Sequence, residues 1–412
     1  MFSQHFIEKG FMSDVAWVAA QAKELEELRK MVNDENSLRH ASRLNQGLDC
    51  HLDPTDPPGK SLMGGVHIHL RIQFANDTVW LARILRYNFM SFADDLTNDT
   101  LRSECATLKS LESKRIPTPR LHMYGQRNDL TNDVGVAYML INELPGRPFN
   151  QLHASEAQLN KVYSQLADIL SDLSKHPFDR IGSLTLSTSG GIIVGPVTGG
   201  RTGTLAKLGI FNNAAHYYSA WAEEYQRMAV NGQLFARYLV NAYLVFKELA
   251  ELARAGKYNP FEQDLDAGDH ILVDENCNIT EIIDWSFARI VPSYDAFGPS
   301  LVTANMDDIL KGKTGLSGND KLLGRMLRHR DSDIARFANS QDKCRRCMFG
   351  LGMGMNLTWY EAVDIFKGIL ITFGEASEDM DWETWKTHAL ERWADDEDLR
   401  ILVKTSANKN FK

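Results

Sequence analysis

The sequence predicts an α+β protein with a small N-terminal lobe and a larger, mostly helical C-terminal lobe. Two strand-like segments, a helical segment and a third strand-like segment follow one another over residues 66–143, which predicts an antiparallel sheet with one main helix. Beyond residue 145 the apolar residues recur mostly at helical spacing, and one β signal at residues 270–285 predicts an acidic β-hairpin within this helical part. The predicted N-terminal helical extension with its linker, N-lobe and C-lobe occupy residues 1–60, 61–144 and 145–412.

The elements of the N-terminal part are predicted from periodicity and from residues that end a helix or strand. The predicted helices and strands, in order, are the helix Ser13–Asn33, the strands Val66–Phe74 and Val79–Leu85, the helix Thr100–Lys114 and the strand Val136–Glu143. A turn at residues 75–78 joins the first two strands, and Pro145-Gly146 ends the last strand. His67 and His69 alternate with apolar residues, so both are expected on the exposed face of a strand.

The C-terminal part begins with the strongest helix signal of the chain. Ser155 and Gln158 form a capping box in front of an apolar stripe, and Pro177 ends the helix that follows. The further helices predicted in this part are Tyr217–Met228, Ala236–Ala255, Trp359–Phe373 and Trp382–Ala394.

Composition excludes several classes of function. The 45 basic and 54 acidic residues give a formal net charge of −9, so the chain has no basic field for nucleic acid or an anionic membrane. No apolar run approaches the ~18 residues that span a bilayer, and the first residues lack the apolar stretch of a signal peptide. The five cysteines, an odd and small number, suit a reducing compartment. A cytoplasmic protein without an obligate protein partner is therefore expected.

Almost all of the net charge lies in the acidic segment, residues 262–284. This segment contains eight carboxylates and no Lys or Arg. It holds two short strand-like runs, His270–Asp274 and Ile279–Trp285, and the residues between them predict a four-residue hairpin loop. Counting outward from that loop gives the opposed pairs Asp274–Ile279, Leu272–Glu281, His270–Ile283 and Asp269–Asp284.

The opposed acids Asp269 and Asp284 predict a cation site. Directly opposed residues have Cβ atoms about 4.5–5.5 Å apart, and two carboxylates at that distance repel each other unless a cation lies between them. An oxygen-only ligand set favours Mg²⁺. Asp264, five residues before Asp269, is a candidate general base toward a substrate hydroxyl. A solvated acidic hairpin without chemistry fits the same residues, so that alternative stays open.

The acidic segment also carries a family resemblance. The run Asp264-Leu265-Asp266-Ala267-Gly268-Asp269, continued to Asp274 and followed by Ile282-Ile283-Asp284-Trp285, resembles the signature of the aminoglycoside phosphotransferase and choline kinase-like family. The runs Ala296–Leu301 and Ile181–Ser183 resemble fungal members of that family. The resemblance extends from about Gly64 to about Phe373 and implies a bilobal protein-kinase-like fold.

The resemblance implies a role for each acid. Asp264 matches the catalytic base, and Asp284 matches a Mg²⁺ ligand. Asp269 stands where the family usually has Asn, which keeps an oxygen ligand and adds a charge. Glu262 stands where the family usually has the His that orders the catalytic loop.

The resemblance also implies an ATP site in the N-lobe. Gly64 and Gly65 would leave room for phosphate, Arg83 takes the position of the strand lysine, and Glu104 matches the helix acid that steadies that cation. Arg at this position can bind phosphate bidentately. The adenine hinge is expected at Asn142, Glu143 and Leu144, with Met139 and Leu140 as apolar walls.

Together these residues imply an ATP- and Mg²⁺-dependent phosphotransferase that acts on a hydroxyl of a small molecule. Nucleotide and acceptor are the expected partners, and the sequence does not identify the acceptor. Glu262 and Asp269 keep open a second hypothesis, a kinase-like nucleotide-binding protein with impaired catalysis. A third is an interaction scaffold without a nucleotide site.

Overall fold

The computed structural model of this chain describes most of its residues. The described residues are 23–24, 26–28, 30–53, 67–86, 94–143, 145–198, 207–232, 238–257, 263–265, 271–300, 302–313, 315–340 and 358–409. At residues 94, 263–265, 306 and 407–409 the description covers the backbone. The predicted linker at residues 53–60 lies outside the described residues except for Asp53.

The chain has a mixed helix and sheet architecture. The strands are β1 Cys50–Leu52, β2 His67–Phe74, β3 Val79–Leu85, β4 Leu121–Gly125, β5 Tyr138–Asn142, β6 Arg147–Pro148, β7 Ser183–Leu186, β8 Ile192–Gly195, β9 Gln263–Leu265, β10 Ile271–Val273, β11 Ile279–Ile282 and β12 Ile290–Pro292. The helices are α1 Asp34–Leu44, α2 Asp94–Ser113, α3 Glu156–Leu173, α4 Ala214–Val230, α5 Leu239–Arg254, α6 Ser293–Ala296, α7 Met306–Leu310, α8 Gly318–Arg328, α9 Ser332–Ala338, α10 Trp359–Phe373, α11 Trp382–Arg392 and α12 Glu397–Lys409. Among the described residues, no helix combines the length and the apolar composition that crossing a membrane requires.

The chain divides into two compact units. The first unit comprises residues 1–153, 184–193 and 270–288, and the second comprises residues 154–183, 194–269 and 289–412. The acidic segment is therefore divided between the two units, because Asp264 falls in the second and Asp284 in the first.

The first unit contains a five-stranded antiparallel sheet in the order β1-β2-β3-β5-β4. Its two faces are distinguished by strand alternation, because directly paired residues lie on the same side of a sheet. One face carries Ile72, Trp80 and Leu140, which belong to a buried apolar cluster with residues of the N-terminal part. The other face, called here the Arg83 face, includes Arg83 and its pairing partners His69 and Met139.

The N-terminal extension belongs to this apolar cluster. Helical residues near position 28 precede α1, and Leu28, Val32 and Ala41 are buried against the sheet face opposite Arg83. Asn33, predicted as the end of one long helix, is the N-cap of α1, where its side chain accepts a hydrogen bond from the amide of Asn36. The apolar residues Leu38, Ala41 and Leu44 of α1 recur at helical spacing, but the helix is mostly polar and was not predicted.

The β10–β11 hairpin lies in the first unit and departs from the predicted register near its turn. Leu272 is opposite Glu281 as counted, whereas Ile279 is opposite Val273 and not Asp274. A bulge accounts for this shift, and the Asp274 amide donates to the Asn278 carbonyl, so the loop comprises Glu275, Asn276 and Cys277 and is one residue shorter than predicted. Cys277 donates to the Asp274 carbonyl and adopts a left-handed φ of 58°. The Asp274 carboxylate accepts the amides of Asn276 and Asn278 and fixes this turn.

Gly146 brings β6 beside this hairpin. Its φ is 150°, and a Cβ at this position would lie 2.7 Å from Thr280 Oγ1 and 3.2 Å from the Leu272 Cβ. Only glycine combines this backbone conformation with this approach. The sequence signal for a strand end at Gly146 therefore marks the place where the chain joins the three-stranded sheet β11-β10-β6.

The second unit is built around helices α4, α5 and α10. Its core contains fully buried aromatic side chains such as Tyr225 and Phe246, together with Phe366 of α10. The predicted capping box of α3 is present, with Ser155 and Gln158 bonded reciprocally. α10 spans the predicted residues, because Thr358 caps its start and Gly374 ends it with a φ of 76°.

Candidate functional site

Arg83 lies on the central part of β3 and is buried. Its neighbours Ala82 and Ile84 face the apolar cluster, so alternation turns the Arg83 side chain to the opposite face of the sheet. A buried guanidinium needs compensating charge and hydrogen bonds, since isolated charges are too costly to remove from water. The residues around Arg83 supply both.

Glu104 on α2 is the main charge partner of Arg83. The Arg83 Nη1 donates to Glu104 Oε1, and the Glu104 side chain is 1% exposed. Burial raises the pKa of the Glu104 carboxyl, and the adjacent guanidinium of Arg83 opposes that rise. The contact between Arg83 and Glu104 agrees with what the family resemblance implies.

Asp284 joins the same cluster from the segment that follows β11. The Arg83 Nη2 donates to Asp284 Oδ1 over 2.8 Å and to Ser286 Oγ over 2.9 Å. The Ser286 hydroxyl in turn lies 2.7 Å from Asp284 Oδ1. Asp284 has a left-handed φ of 63°, and buried Trp285 fixes the turn by donating from Nε1 to the Ile282 carbonyl.

His67 completes the cluster, contrary to the expectation that it lies on an exposed strand face. It is 3% exposed, and its Nδ1 lies 3.1 Å from Arg83 Nη2. Its Nε2 lies 3.7 Å from Glu104 Oε2. Burial lowers the pKa of His67 well below its usual value, and the positive charge of Arg83 acts in the same direction. His69, two residues on, is half-buried.

The cluster fits an anionic ligand. The Arg83 Nε is buried and has no hydrogen-bond partner among the residues that the structure describes. A buried cationic N–H without an acceptor is costly, and a phosphate oxygen would satisfy it. The orphaned donor therefore supports the interpretation of Arg83 as a phosphate-binding residue.

The cluster also fits a cation beside Asp284. Two carboxylates, Glu104 and Asp284, share the single charge of Arg83, and the Asp284 carboxylate offers the hard oxygen atoms that Mg²⁺ prefers. Within the described part of the chain, no group of three or more His, Cys, Asp or Glu side chains is arranged to hold a metal. The predicted second ligand, Asp269, lies outside the described residues.

The two described hinge residues are engaged within the sheet. The amide of Asn142 donates to the Arg120 carbonyl over 3.3 Å, and the amide of Glu143 donates to the Val79 carbonyl over 3.0 Å. The Asn142 side chain bonds to His122 and lies on the face opposite Arg83. Neither of these two backbone N–H groups is therefore free to bind an adenine edge.

The expected apolar walls of the adenine pocket are separated by the same alternation. Met139 pairs with Arg83 and shares its face, whereas Leu140 pairs with Ala82 and belongs to the apolar cluster on the other face. The prediction that both residues line one pocket is wrong, because successive side chains of a strand point to opposite sides.

For the remaining predicted residues the structure describes either the backbone alone or nothing. Gly64, Gly65, Leu144, Glu262 and Asp269 lie outside the described residues. For Asp264 the backbone is described: it lies in β9, opposite Val291 of β12, in the second unit. The proposed roles of these six residues stay predictions.

Two residues of the cluster, His67 and Ser286, were not predicted as site residues. Ser286 follows Asp284 by two positions, and its hydroxyl contacts Arg83 and Asp284. His67 shares the period-2 face of His69, and His69 is directly opposite Arg83. The predicted four-residue turn would pair Arg83 with Leu70 and place His67 on the other face. In the structure the Phe74 amide donates to the Thr78 carbonyl, so the turn has three residues, and this register puts His69 opposite Arg83 and His67 on the same face.

No protein-family model and no curated protein matches the chain. Solved structures do. A protein from Thermobifida fusca assigned as a fructosamine-3-kinase is 13% identical, with 81% of this chain and 97% of that chain covered and a TM-score of 0.48. The macrolide 2'-phosphotransferase MphH from Brachybacterium faecium is 15% identical, with 84% and 99% covered and a TM-score of 0.44. The gentamicin complex of APH(2'')-IIa is 10% identical, with 84% and 98% covered and a TM-score of 0.45.

Further matching structures of aminoglycoside phosphotransferases hold GDP, ATP or ADP. These ligands belong to those proteins. At such identities and TM-scores, no residue role or substrate passes from them to this chain.

Proposed function

We propose that this chain is an ATP- and Mg²⁺-dependent phosphotransferase that acts on a hydroxyl group of a small molecule. The observation that carries the proposal is the cluster in which buried Arg83 is bonded to buried Glu104 and Ser286 and to the exposed Asp284. It joins a phosphate-binding cation and a hard-metal ligand in one hydrogen-bonded network. The resemblance of the acidic segment to the phosphotransferase signature supports the same activity from the sequence.

In this proposal Arg83, Glu104 and Asp284, which belong to the first unit, bind the nucleotide and its metal ion. Arg83 holds phosphate oxygens, and Glu104 keeps its guanidinium in place. Asp284 and Asp269 hold Mg²⁺, which when bound neutralises charge on the phosphates. The first unit would then be the nucleotide-binding lobe of a bilobal protein-kinase-like fold, and the acidic hairpin would carry its metal ligand.

Asp264 is proposed as the general base. Its carboxylate would accept the proton of the acceptor hydroxyl as the oxygen attacks the terminal phosphoryl group of ATP and ADP leaves. The acceptor is a small alcohol, and its binding residues are expected among the C-terminal helices.

The test is transfer from ATP to a panel of alcohols, including aminoglycosides, macrolides, sugars and choline, with and without Mg²⁺. The expected result is Mg²⁺-dependent formation of ADP and of a phosphorylated product with at least one acceptor. Asp264→Asn should lower kcat by about 10²–10⁴-fold. The matched control is Glu275→Gln, which removes an exposed acid of the same segment and should leave kcat unchanged.

The outcomes separate the three hypotheses. ATP binding without transfer to any acceptor would favour the catalytically impaired nucleotide-binding protein. The absence of ATP binding, with or without Mg²⁺, would contradict the proposal and favour the scaffold. Full transfer by the Asp264→Asn variant would remove Asp264 from the role of base.

A further inference from the structure

His67 is buried beside the proposed phosphate-binding residue and takes no part in the proposed chemistry. Its ring meets the cluster at both nitrogens, since Nδ1 lies 3.1 Å from Arg83 Nη2 and Nε2 lies 3.7 Å from Glu104 Oε2. Nε2 has no hydrogen-bond partner among the described residues. A buried ring nitrogen without a partner costs stability, so a role for His67 beyond packing is indicated.

The contact with Arg83 determines the tautomer of the ring. A guanidinium can only donate, so Nδ1 must accept and must carry the lone pair. The proton of the neutral imidazole is then on Nε2. This tautomer turns its acceptor side to the cation Arg83 and its N–H side toward the anion Glu104, so both interactions are favourable.

His67 also gives Arg83 an acceptor that is independent of the metal ligand. The Arg83 Nη2 has two hydrogens and three acceptors within 3.1 Å: His67, Asp284 and Ser286. If Asp284 turned away from Arg83, Nη1 would still be held by Glu104 and Nη2 by His67. The plane of the guanidinium would thus stay fixed, with Nε left to face a phosphate.

We propose that His67 is a positioning residue for Arg83, and that its Nδ1 lone pair sets the orientation of the guanidinium on which affinity for nucleotide phosphates depends. The inference rests on the proposed function for the role of Arg83. The hydrogen bond itself can be measured in the full chain without any nucleotide.

The first experiment is a two-bond ¹H–¹⁵N correlation spectrum of the full-length chain labelled with ¹⁵N-histidine, with His67→Asn used to assign the signal. The expected spectrum shows a neutral His67 protonated on Nε2 at pH 7. A ring protonated on Nδ1, alone or together with Nε2, would overturn the inference.

The second experiment measures the affinity for ATP, ADP and adenosine of three variants. The Oδ1 of Asn can occupy the place of Nδ1, the longer Gln reaches toward the place of Nε2, and Leu has no acceptor. His67→Asn should bind ATP within about 3-fold of the wild type, whereas His67→Leu and His67→Gln should bind it at least about 10-fold more weakly. Adenosine, which has no phosphate, should bind all variants equally.

The two proposals fail in different ways. A wild-type chain that binds neither ATP nor ADP contradicts the proposed function, whatever the tautomer of His67. Tight ATP binding by a folded His67→Leu variant contradicts the positioning role while the proposed function stands. An equal loss of ATP and adenosine affinity would show a general structural role and would also contradict positioning.

Discussion

The Arg83 Nη2 donates a hydrogen bond to Asp284 Oδ1 over 2.8 Å, although 201 residues separate them in the chain. Ser286 binds both groups, so the contact is a small network and not a single ion pair. One residue comes from a strand of the five-stranded sheet and the other from the segment after the β10–β11 hairpin. A substitution of Arg83 or of Asp284 should therefore affect ligand binding by the other residue of the network.

Removal of Arg83 should lower both the free energy of unfolding and the affinity for ATP, and a second substitution at Glu104 should restore only the free energy of unfolding. Arg83→Met leaves the buried Glu104 uncompensated, so the free energy of unfolding should fall by about 3–5 kcal/mol. The double variant Arg83→Met with Glu104→Gln removes that charge as well and should recover most of this loss. Urea denaturation and ATP titration check both effects. Recovery of ATP affinity in the double variant would contradict the phosphate-binding role of Arg83.

Asp284→Asn should abolish the effect of Mg²⁺ on nucleotide binding. Asn tolerates the left-handed backbone that Asp284 adopts, so the turn should persist, while the anionic metal ligand is lost. Thermal shifts with ATP and Mg²⁺ should equal those with ATP and EDTA, and ATP alone should bind at least as well as to the wild type. Glu275→Gln, an exposed acid in the same segment, should keep the full Mg²⁺ response. A Mg²⁺ response retained in Asp284→Asn would exclude Asp284 as a ligand.

Glu281 should make the protein lose stability as the pH rises from about 4.5 to about 8. It is 3% exposed, and burial raises its pKa to about 8 from the ordinary 4.5. Since the folded state then binds the proton more tightly than the unfolded state, the contribution of Glu281 to stability is fully present below pH 4.5 and is lost progressively as the pH rises toward 8. At about 1.4 kcal/mol per pKa unit, the loss amounts to a few kcal/mol. Glu281→Gln should flatten the pH dependence of the melting temperature between pH 5 and 8, and an unchanged slope would contradict it.

Asp77→Gly should stabilise the β2–β3 hairpin. Asp77 has a φ of 63° and is exposed, and its amide donates to the Phe74 carbonyl, as Cys277 does to Asp274 in the other hairpin. Glycine removes the steric cost of this conformation, so the free energy of unfolding should rise by about 0.5–1 kcal/mol. Asn76→Ala should lower it, because the Asn76 side chain accepts the Thr78 amide over 3.1 Å. A loss of stability in Asp77→Gly, measured by denaturation, would contradict this interpretation.

Elements with strong local signals were predictable. β3 and α10 have the predicted bounds, because alternation specifies the first and capping residues specify the second. β1 and β4 were missed, since short strands at the ends of the sheet order lack a long alternating pattern. The start of α2 at Asp94 was also missed, because the polar residues before Thr100 give no apolar stripe.

The register of the β10–β11 hairpin was predictable only in part. The sequence correctly places Leu272 opposite Glu281, but a four-residue loop was assumed where Cys277 in a left-handed conformation makes a shorter one. Only a few per cent of non-glycine residues adopt this conformation, so a Cys at position 277 does not predict it from the sequence. The Asp274 carboxylate, which binds two amides of the turn, supplies the compensation.

The sequence by itself determined which residues are able to form the site: a strand Arg, a helix Glu and an Asp in a resembling motif. These residues were predictable because side-chain chemistry and local periodicity can be recognised in short stretches of sequence. The tertiary structure decided that Arg83, Glu104 and Asp284 share one network, and that His67 is buried within it. Such contacts depend on strand pairing and helix packing over long sequence separations. Removing the charge of an Arg from water must be compensated, so a buried Arg is bonded to the acidic and polar groups that the tertiary structure places next to it.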